Sequence, residues 1–275
     1  MIQKFNYLLA ITLATFFITS CQMEDITQKN EIPSDVITKL TQLGFNPDGI
    51  EAIEEGYRIE RDIIITPEFL ASAKALSSVP NLEQYSTTNL VTTNGSRNIT
   101  IYAPVGGRNG YSAGMIAGLD EAISRYNAEN LEITFSRVTS SSGADIQMTR
   151  LKKGEERQGI LGSAGFPTAS GDPYGEIKMS GILESAYGLN ADEIGTIIAH
   201  EMGHCIGLRH TDYFDRSISC GGAATNEGSG GVGANHIPGT PTGATYSAQS
   251  YMLSCTDGSD RPFNNDDQTA LDYLY

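Results

Sequence analysis

At 275 residues the chain is long enough for one large domain and a smaller one, with a proper buried core. Its charged (19%) and hydrophobic (39%) fractions are ordinary for a globular protein and exclude wholesale disorder. A net charge of −15 excludes nucleic acid as a partner, because phosphates need a basic surface.

The chain opens with one lysine in MIQKFNY, followed by the apolar run LLAITLATFFITS. That run is too short to span a bilayer and has the form of a signal peptide over residues 1–20. Its end, Ile18-Thr19-Ser20-Cys21, resembles a bacterial lipobox, which implies cleavage before Cys21 and a lipid anchor on that cysteine. An ordinary secretory signal is the alternative. Glu24-Asp25 points to the outer face of the outer membrane, from which processing would release the protein. Either way the chain is exported, and Cys205, Cys220 and Cys255 meet an oxidising compartment where at most one bridge forms. Their spacing does not fix the pairing.

Residues 21–33 read as a tether. Ser34 to Leu43, with Val36, Ile37, Leu40 and Leu43 in helical register and Gly44 behind them, predicts a short helix. Tyr57 to Ile65 reads as one strand and Pro67 to Leu76 as a second helix, so 34–76 forms a small α/β segment. The Ser-, Thr-, Asn- and Pro-rich stretch over 77–97 reads as a linker. From residue 98 the pattern becomes regular. Strands are expected at Asn98–Ala103, Leu131–Val138, Ala144–Thr149, Gly159–Ala164 and Glu176–Ser180. A helix over Gly110–Ala128 places Met115, Leu119, Ala122 and Tyr126 on one face. Asn190 caps a helix that runs into His200.

Three of the four histidines fall in HEMGHCIGLRH, residues 200 to 210. His200 and His204 are one helical turn apart, so both imidazoles leave the same face and can meet one metal ion. Glu201 is turned about 100° from His200, close enough to serve a water at that metal without binding it. Gly207 can adopt the left-handed conformation that ends a helix and lets His210 return as a third ligand. Three nitrogens and one open position are the arrangement of catalytic zinc, whereas a structural zinc closes its fourth position with Cys or His. His236 lies in a glycine-rich loop and reads as surface or cleft decoration. Cys205 falls with Ile194, Ile198 and Met202, away from the histidine face, and reads as a buried thiol.

HEMGHCIGLRH with a methionine downstream resembles the metzincin clan of zinc endopeptidases. Within it, HEMGHCIGLRHTDYFDRSISCGG and RPFNNDDQTALDYLY most resemble the bacterial dual-action HEIGH metallopeptidases, over about residues 98–275. The resemblance implies an α+β fold: a five-stranded mixed sheet, a zinc helix, a Met-turn and a C-terminal helix. Gly165-Phe166-Pro167, the Gly171-Asp172 turn and Asn264-Asn265-Asp266-Asp267 are similar to matrixin features. It implies Met252 as the Met-turn methionine and Glu201 as general base. It also implies a bridge between Cys220 and Cys255, as in the pappalysin branch. Astacins and serralysins carry a zinc-binding tyrosine two residues after that methionine. Here the position is Ser254, so three protein ligands are expected.

The implied reaction is hydrolysis of protein or peptide substrates by zinc-activated water, in a monomer. The substrate is expected along an edge strand at Glu176–Ser180, with selectivity from the loop between Cys220 and Met252. Asp212 either orients this region or is solvated. Asp145 and Asp172 lie where matrixin-like proteins bind calcium, without a clustered ligand set. The N-terminal segment is either a spacer or a pro-segment that blocks the zinc through an acidic residue such as Asp62. The rival function is a surface adhesion or binding lipoprotein on an inactive metzincin fold.

Overall fold

The computed structural model describes residues 31–72, 84–107, 109–228, 233–241 and 249–275. The signal peptide, Cys21, most of the tether and the first part of the linker lie outside them. All the described elements belong to one unit, Ile32–Tyr275.

The N-terminal segment begins with α1 (Ser34–Leu43), whose end is set by Gly44 in the left-handed conformation. A meander of three strands follows: β1 (Glu51–Ile53) precedes the strand expected at Tyr57–Ile65, which divides into β2 (Gly56–Ile59) and β3 (Ile63–Ile65). Between β2 and β3 the chain reverses through Glu60 and Arg61, at φ values of 56° and 79°. Neither residue is one that usually marks such a turn, which is why the sequence reads as one strand. Next come α2 (Pro67–Ser72) and β4 (Tyr85–Ser86).

The chain continues through β5 (Arg97–Tyr102), α3 (Ala113–Ala128), β6 (Ile133–Val138), β7 (Ile146–Arg150), α4 (Lys153–Arg157), β8 (Gly162–Ala164) and β9 (Glu176–Met179). It ends with α5 (Leu183–Tyr187), α6 (Ala191–Ile206), α7 (Ser217–Cys220), β10 (Asn235–His236) and α8 (Asn265–Leu274). Strands β5 to β9 are the five expected, but they belong to a mixed sheet of eight, ordered β1-β2-β3-β8-β9-β7-β5-β6. Strand β3 adds to β8 in parallel, with Ile63 opposite Ala164. Strand β9 lies between β7 and β8, so Glu176–Ser180 is not an edge. One edge of the five-strand core is β8, and the N-terminal segment covers it; the other is β6.

Two apolar clusters hold these layers. The larger packs α3 and α6 on the sheet through Met115, Leu119, Ile194, Ile198 and Met202. The smaller joins Leu40, Leu43, Ile59, Ile63 and Ile65 to Phe166, so a residue of the later chain completes the core of the early segment. Such a segment is too small to bury an independent core. The stretch read as linker is also integrated from residue 84 onward. Tyr85 is fully buried, β4 pairs with β10, and Thr87 N donates to Gly207 O.

Candidate metal centre

Helix α6 is fixed at both ends by local chemistry. The Asn190 side chain accepts from Asp192 N and Glu193 N, while Glu193 accepts from Asn190 N. At the other end Gly207 has φ of 109°, which residues bearing a Cβ rarely adopt, and its N–H donates to Gly203 O and His204 O. The chain therefore turns back at Gly207, directly after Ile206, and carries His210 beneath the helix.

The three imidazoles converge. His210 Nε2 lies 3.2 Å from both His200 Nε2 and His204 Nε2. Each Nδ1 faces outward: His200 donates to Tyr251 O (2.8 Å), His204 to Leu208 O (2.9 Å), and His210 meets Glu227 Oε1 (2.7 Å). A carbonyl oxygen only accepts, so His200 and His204 carry hydrogen on Nδ1 and present lone pairs from Nε2. Lone pairs converging at this spacing repel one another unless a cation stands between them. Metal–nitrogen bonds of about 2.0–2.1 Å in a tetrahedron place the nitrogens about 3.3 Å apart, so the residues fit a metal ion, and this donor set suits zinc. Burial, then the charge of His210, pushes His200 down to about 4. His204 is also pushed down, first by burial and then by the other two rings. Both remain in the neutral form that binds metal.

A fourth group stands at the same point. Asp62 Oδ2 is 3.2 Å from His210 Nε2 and 3.9 Å from His200 Nε2. The ligating atoms of Asp62, His200, His204 and His210 all lie within 4.8 Å of one another. Asp62 leads out of the Glu60-Arg61 reversal, which Arg61 steadies by donating to Gln158 O. Burial pushes the Asp62 carboxyl up, but His210 outweighs it and holds the group below its ordinary range. The three expected ligands are thus joined by a carboxylate from the early segment.

Glu201 is 2% exposed, and its carboxyl is pushed well above the ordinary range by burial and then by the charge of Asp62. With His200 it lines a cleft of about 270 Å³ whose walls include Leu161, Ile197, Leu253 and Arg261. Met252 is fully buried beneath the helix. A Cβ at Gly203 would come within 2.6 Å of its sulfur, so the thioether packs on the turn that carries both helix histidines. Met252 O accepts from Thr211 N, which ties this turn to the residue after His210.

Cys220 and Cys255 are disulfide-bonded, the pairing that the resemblance implied, and Cys205 is a buried free thiol. Asp212 orients the loops: Oδ1 accepts from Ser254 N and Oγ, and Oδ2 from Ser219 N and Oγ. Asp145 accepts from Thr100 N and Oγ1, and Asp172 is paired with Arg97, so these carboxylates serve the protein's own donors. His236 sits in β10, where Thr240 Oγ1 is 3.1 Å from its Nε2. Residue reading missed Glu227, which lies seventeen positions after His210 in a loop with no helical or strand period. Only the chain's return through α7 and the disulfide places it there.

The profile of the family described as dual-action HEIGH metallo-peptidase matches residues 57–275. No curated protein matches the sequence. Among solved structures, "Structure of myroilysin" is 15% identical with a TM-score of 0.40, over 68% of this chain and 96% of that one. "Crystal structure of myroilysin" is 14% identical with a TM-score of 0.36, over 75% and 95%.

Proposed function

The chain belongs to the dual-action HEIGH metallopeptidases, and from that premise we propose that it is a zinc endopeptidase of the metzincin type, with His200, His204 and His210 as ligands and Glu201 as general base. The observation that carries this reading is the convergence of three Nε2 atoms beside the buried carboxylate of Glu201, whose Oε2 has no hydrogen-bond partner. A bound zinc supplies positive charge that polarises a peptide carbonyl and acidifies water. Glu201 takes the proton of the attacking water and returns it to the leaving amine. The walls formed by Leu161, Ile197 and Leu253 exclude bulk water from the carboxylate. Met252 floors the site, and β8 is the strand a substrate pairs with once its edge is free.

In the intact chain that edge is taken by β3, and Asp62 stands at the metal point. Residues 34–72 therefore act as an inhibitory pro-segment, with processing between it and Gln84. Residues from Gln84 onward stay with the enzyme, because Gln84 donates to Asp267 and Tyr85 is buried. Export, a lipid anchor at Cys21 and a place on the outer membrane are proposed from the sequence alone. Loss of fatty-acid labelling in Cys21→Ala checks the anchor.

The test of function is cleavage of a mixed peptide library by zinc-loaded residues 84–275, with Glu201→Ala beside it. Cutting that a chelator stops, and that Glu201→Ala loses by about 10²–10⁴-fold while still holding zinc, supports the reading. A zinc-loaded protein that cuts nothing in either the short or the full-length form sinks it in favour of a binding module.

A further inference from the structure

The three histidines are not held alike. His200 and His204 give their Nδ1 hydrogens to main-chain carbonyls, Tyr251 O and Leu208 O. His210 alone of the three turns its Nδ1 to a carboxylate, Glu227 Oε1 at 2.7 Å, and both side chains are fully buried. A buried carboxylate is costly unless other groups offset its charge. Here Arg216 Nη1 lies 2.9 Å from Oε1, Arg209 Nη2 lies 3.6 Å from Oε2, and Ser254 Oγ stands 3.0 Å from Oε1.

Arg209 is itself fully buried, donates to Gly228 O and Gly233 O, and rests between the Phe45 and Tyr213 rings. Ser254 is set by Asp212 and precedes Cys255 of the disulfide. Two arginines and a serine thus converge on a carboxylate whose other neighbours are the His210 imidazole and the buried carboxyl of Glu60, itself 4.0 Å from His210 Nδ1.

On the metallopeptidase reading above, we propose that Glu227 is a positioning residue for the metal centre: it fixes the ring of His210, directs its Nε2 to the metal point and strengthens it as a donor. A carboxylate behind a ligating imidazole holds the tautomer and raises the ring's basicity, effects worth about 10–100-fold in metal affinity. His210 needs this more than the others. It follows the helix rather than riding on it, so no helical register fixes its ring.

The test is zinc affinity of the full-length chain, read by competition with a chromophoric chelator and so independent of activity. Glu227→Gln keeps the shape and removes the charge, and its zinc dissociation constant is expected to rise about 10–100-fold. In a His210→Ala background the same change is expected to have almost no further effect, because its route to the metal is gone. A rise below about twofold overturns the proposal, as does an equal rise in both backgrounds, which would mark a general loss of structure. Where Glu227→Gln fails to fold, Ser254→Ala leaves the charge but removes one of the groups that hold it. A several-fold weakening then supports the role and an unchanged constant overturns it. A wild-type chain that binds no zinc would overturn the metallopeptidase reading and this inference together, whereas the other outcomes bear on Glu227 alone.

Discussion

Asp62 Oδ2 stands 3.2 Å from His210 Nε2, although 148 positions separate the two residues and one belongs to the early segment and the other to the zinc-binding motif. The contact depends on a hairpin reversal through two non-glycine residues at positive φ, which costs about 1–2 kcal/mol per residue. Its compensation is the run Ile63, Ile64 and Ile65, all buried, with Ile63 and Ile65 in the early core. On the proposed reading, carboxylate and strand together fill the places that a substrate's carbonyl and backbone would take.

Removing that carboxylate is expected to open the site without unfolding the segment. Full-length Asp62→Ala, loaded with zinc, should cleave a peptide mixture at least about tenfold faster than the parent chain, equivalent to about 1.4 kcal/mol of preference for the closed arrangement. In residues 84–275, which lack Asp62, no such gain is available. Equal rates for Asp62→Ala and the full-length parent would remove Asp62 from any role in latency.

Arg58 offers an independent way to loosen the same segment. It is 1% exposed and pairs with Glu155 of α4 at 2.5 Å and with Glu51 of β1 at 3.2 Å. It therefore pins the meander to the helix that precedes β8. Arg58→Ala leaves Glu155 without its cation, and breaking a buried pair costs about 3–5 kcal/mol, less here because Glu51 is 41% exposed. The expected result is faster protease nicking of residues 34–72 in the variant, with 84–275 still resistant. Uniform digestion of the whole chain would show that Arg58 supports the fold at large and is no specific clasp.

The zinc motif was legible because helical register is a local property: His200, His204 and Glu201 follow from spacing on one helix, and Gly207 announces the reversal. Of the five core strands, Leu131–Val138 and Ala144–Thr149 were legible from alternation, whereas β8 and β9 are buried along nearly their whole length. The early segment was not legible, because its period breaks at Glu60-Arg61 without Gly, Asn or Pro. Its docking was hidden because Phe166, which completes its core, lies about a hundred residues downstream. The eight-stranded order and the loss of β9 as an edge are consequences of that docking. Glu227 was invisible for a similar reason, since contact with His210 depends on Arg209, Arg216 and the disulfide rather than on a sequence pattern.

The bridge itself closes a 35-residue separation between α7 and the segment after Met252. Loop-closure entropy gives such a link about 3–4 kcal/mol of stability. Reduction or the Cys220→Ser, Cys255→Ser pair is expected to lower the thermal midpoint by several degrees and to weaken zinc retention, because Cys255 N donates to Ser219 Oγ and Ser254 stands on both Asp212 and Glu227. Differential scanning calorimetry with and without zinc separates the two effects. A midpoint loss with full zinc retention would confine the bridge to stability.

Asp267 gives a prediction in pH. It lies beneath the Met-turn, 1% exposed, and accepts from Gln84 Nε2, Ser250 Oγ and Asn264 N. Burial pushes its carboxyl up to about 6 from an ordinary 3.8, against the pull of those hydrogen bonds. The folded state therefore holds the proton more tightly than the unfolded chain. The stabilising contribution is complete below pH 3.8 and is lost as pH rises through about 6. At about 1.4 kcal/mol for each unit the full difference is about 3 kcal/mol, part of it felt between pH 5 and 7. Asp267→Asn keeps the shape without the charge and is expected to flatten this part of the stability curve. Urea unfolding of both proteins at pH 5, 6 and 7 measures it, and parallel curves would show that Asp267 does not change its protonation in that window.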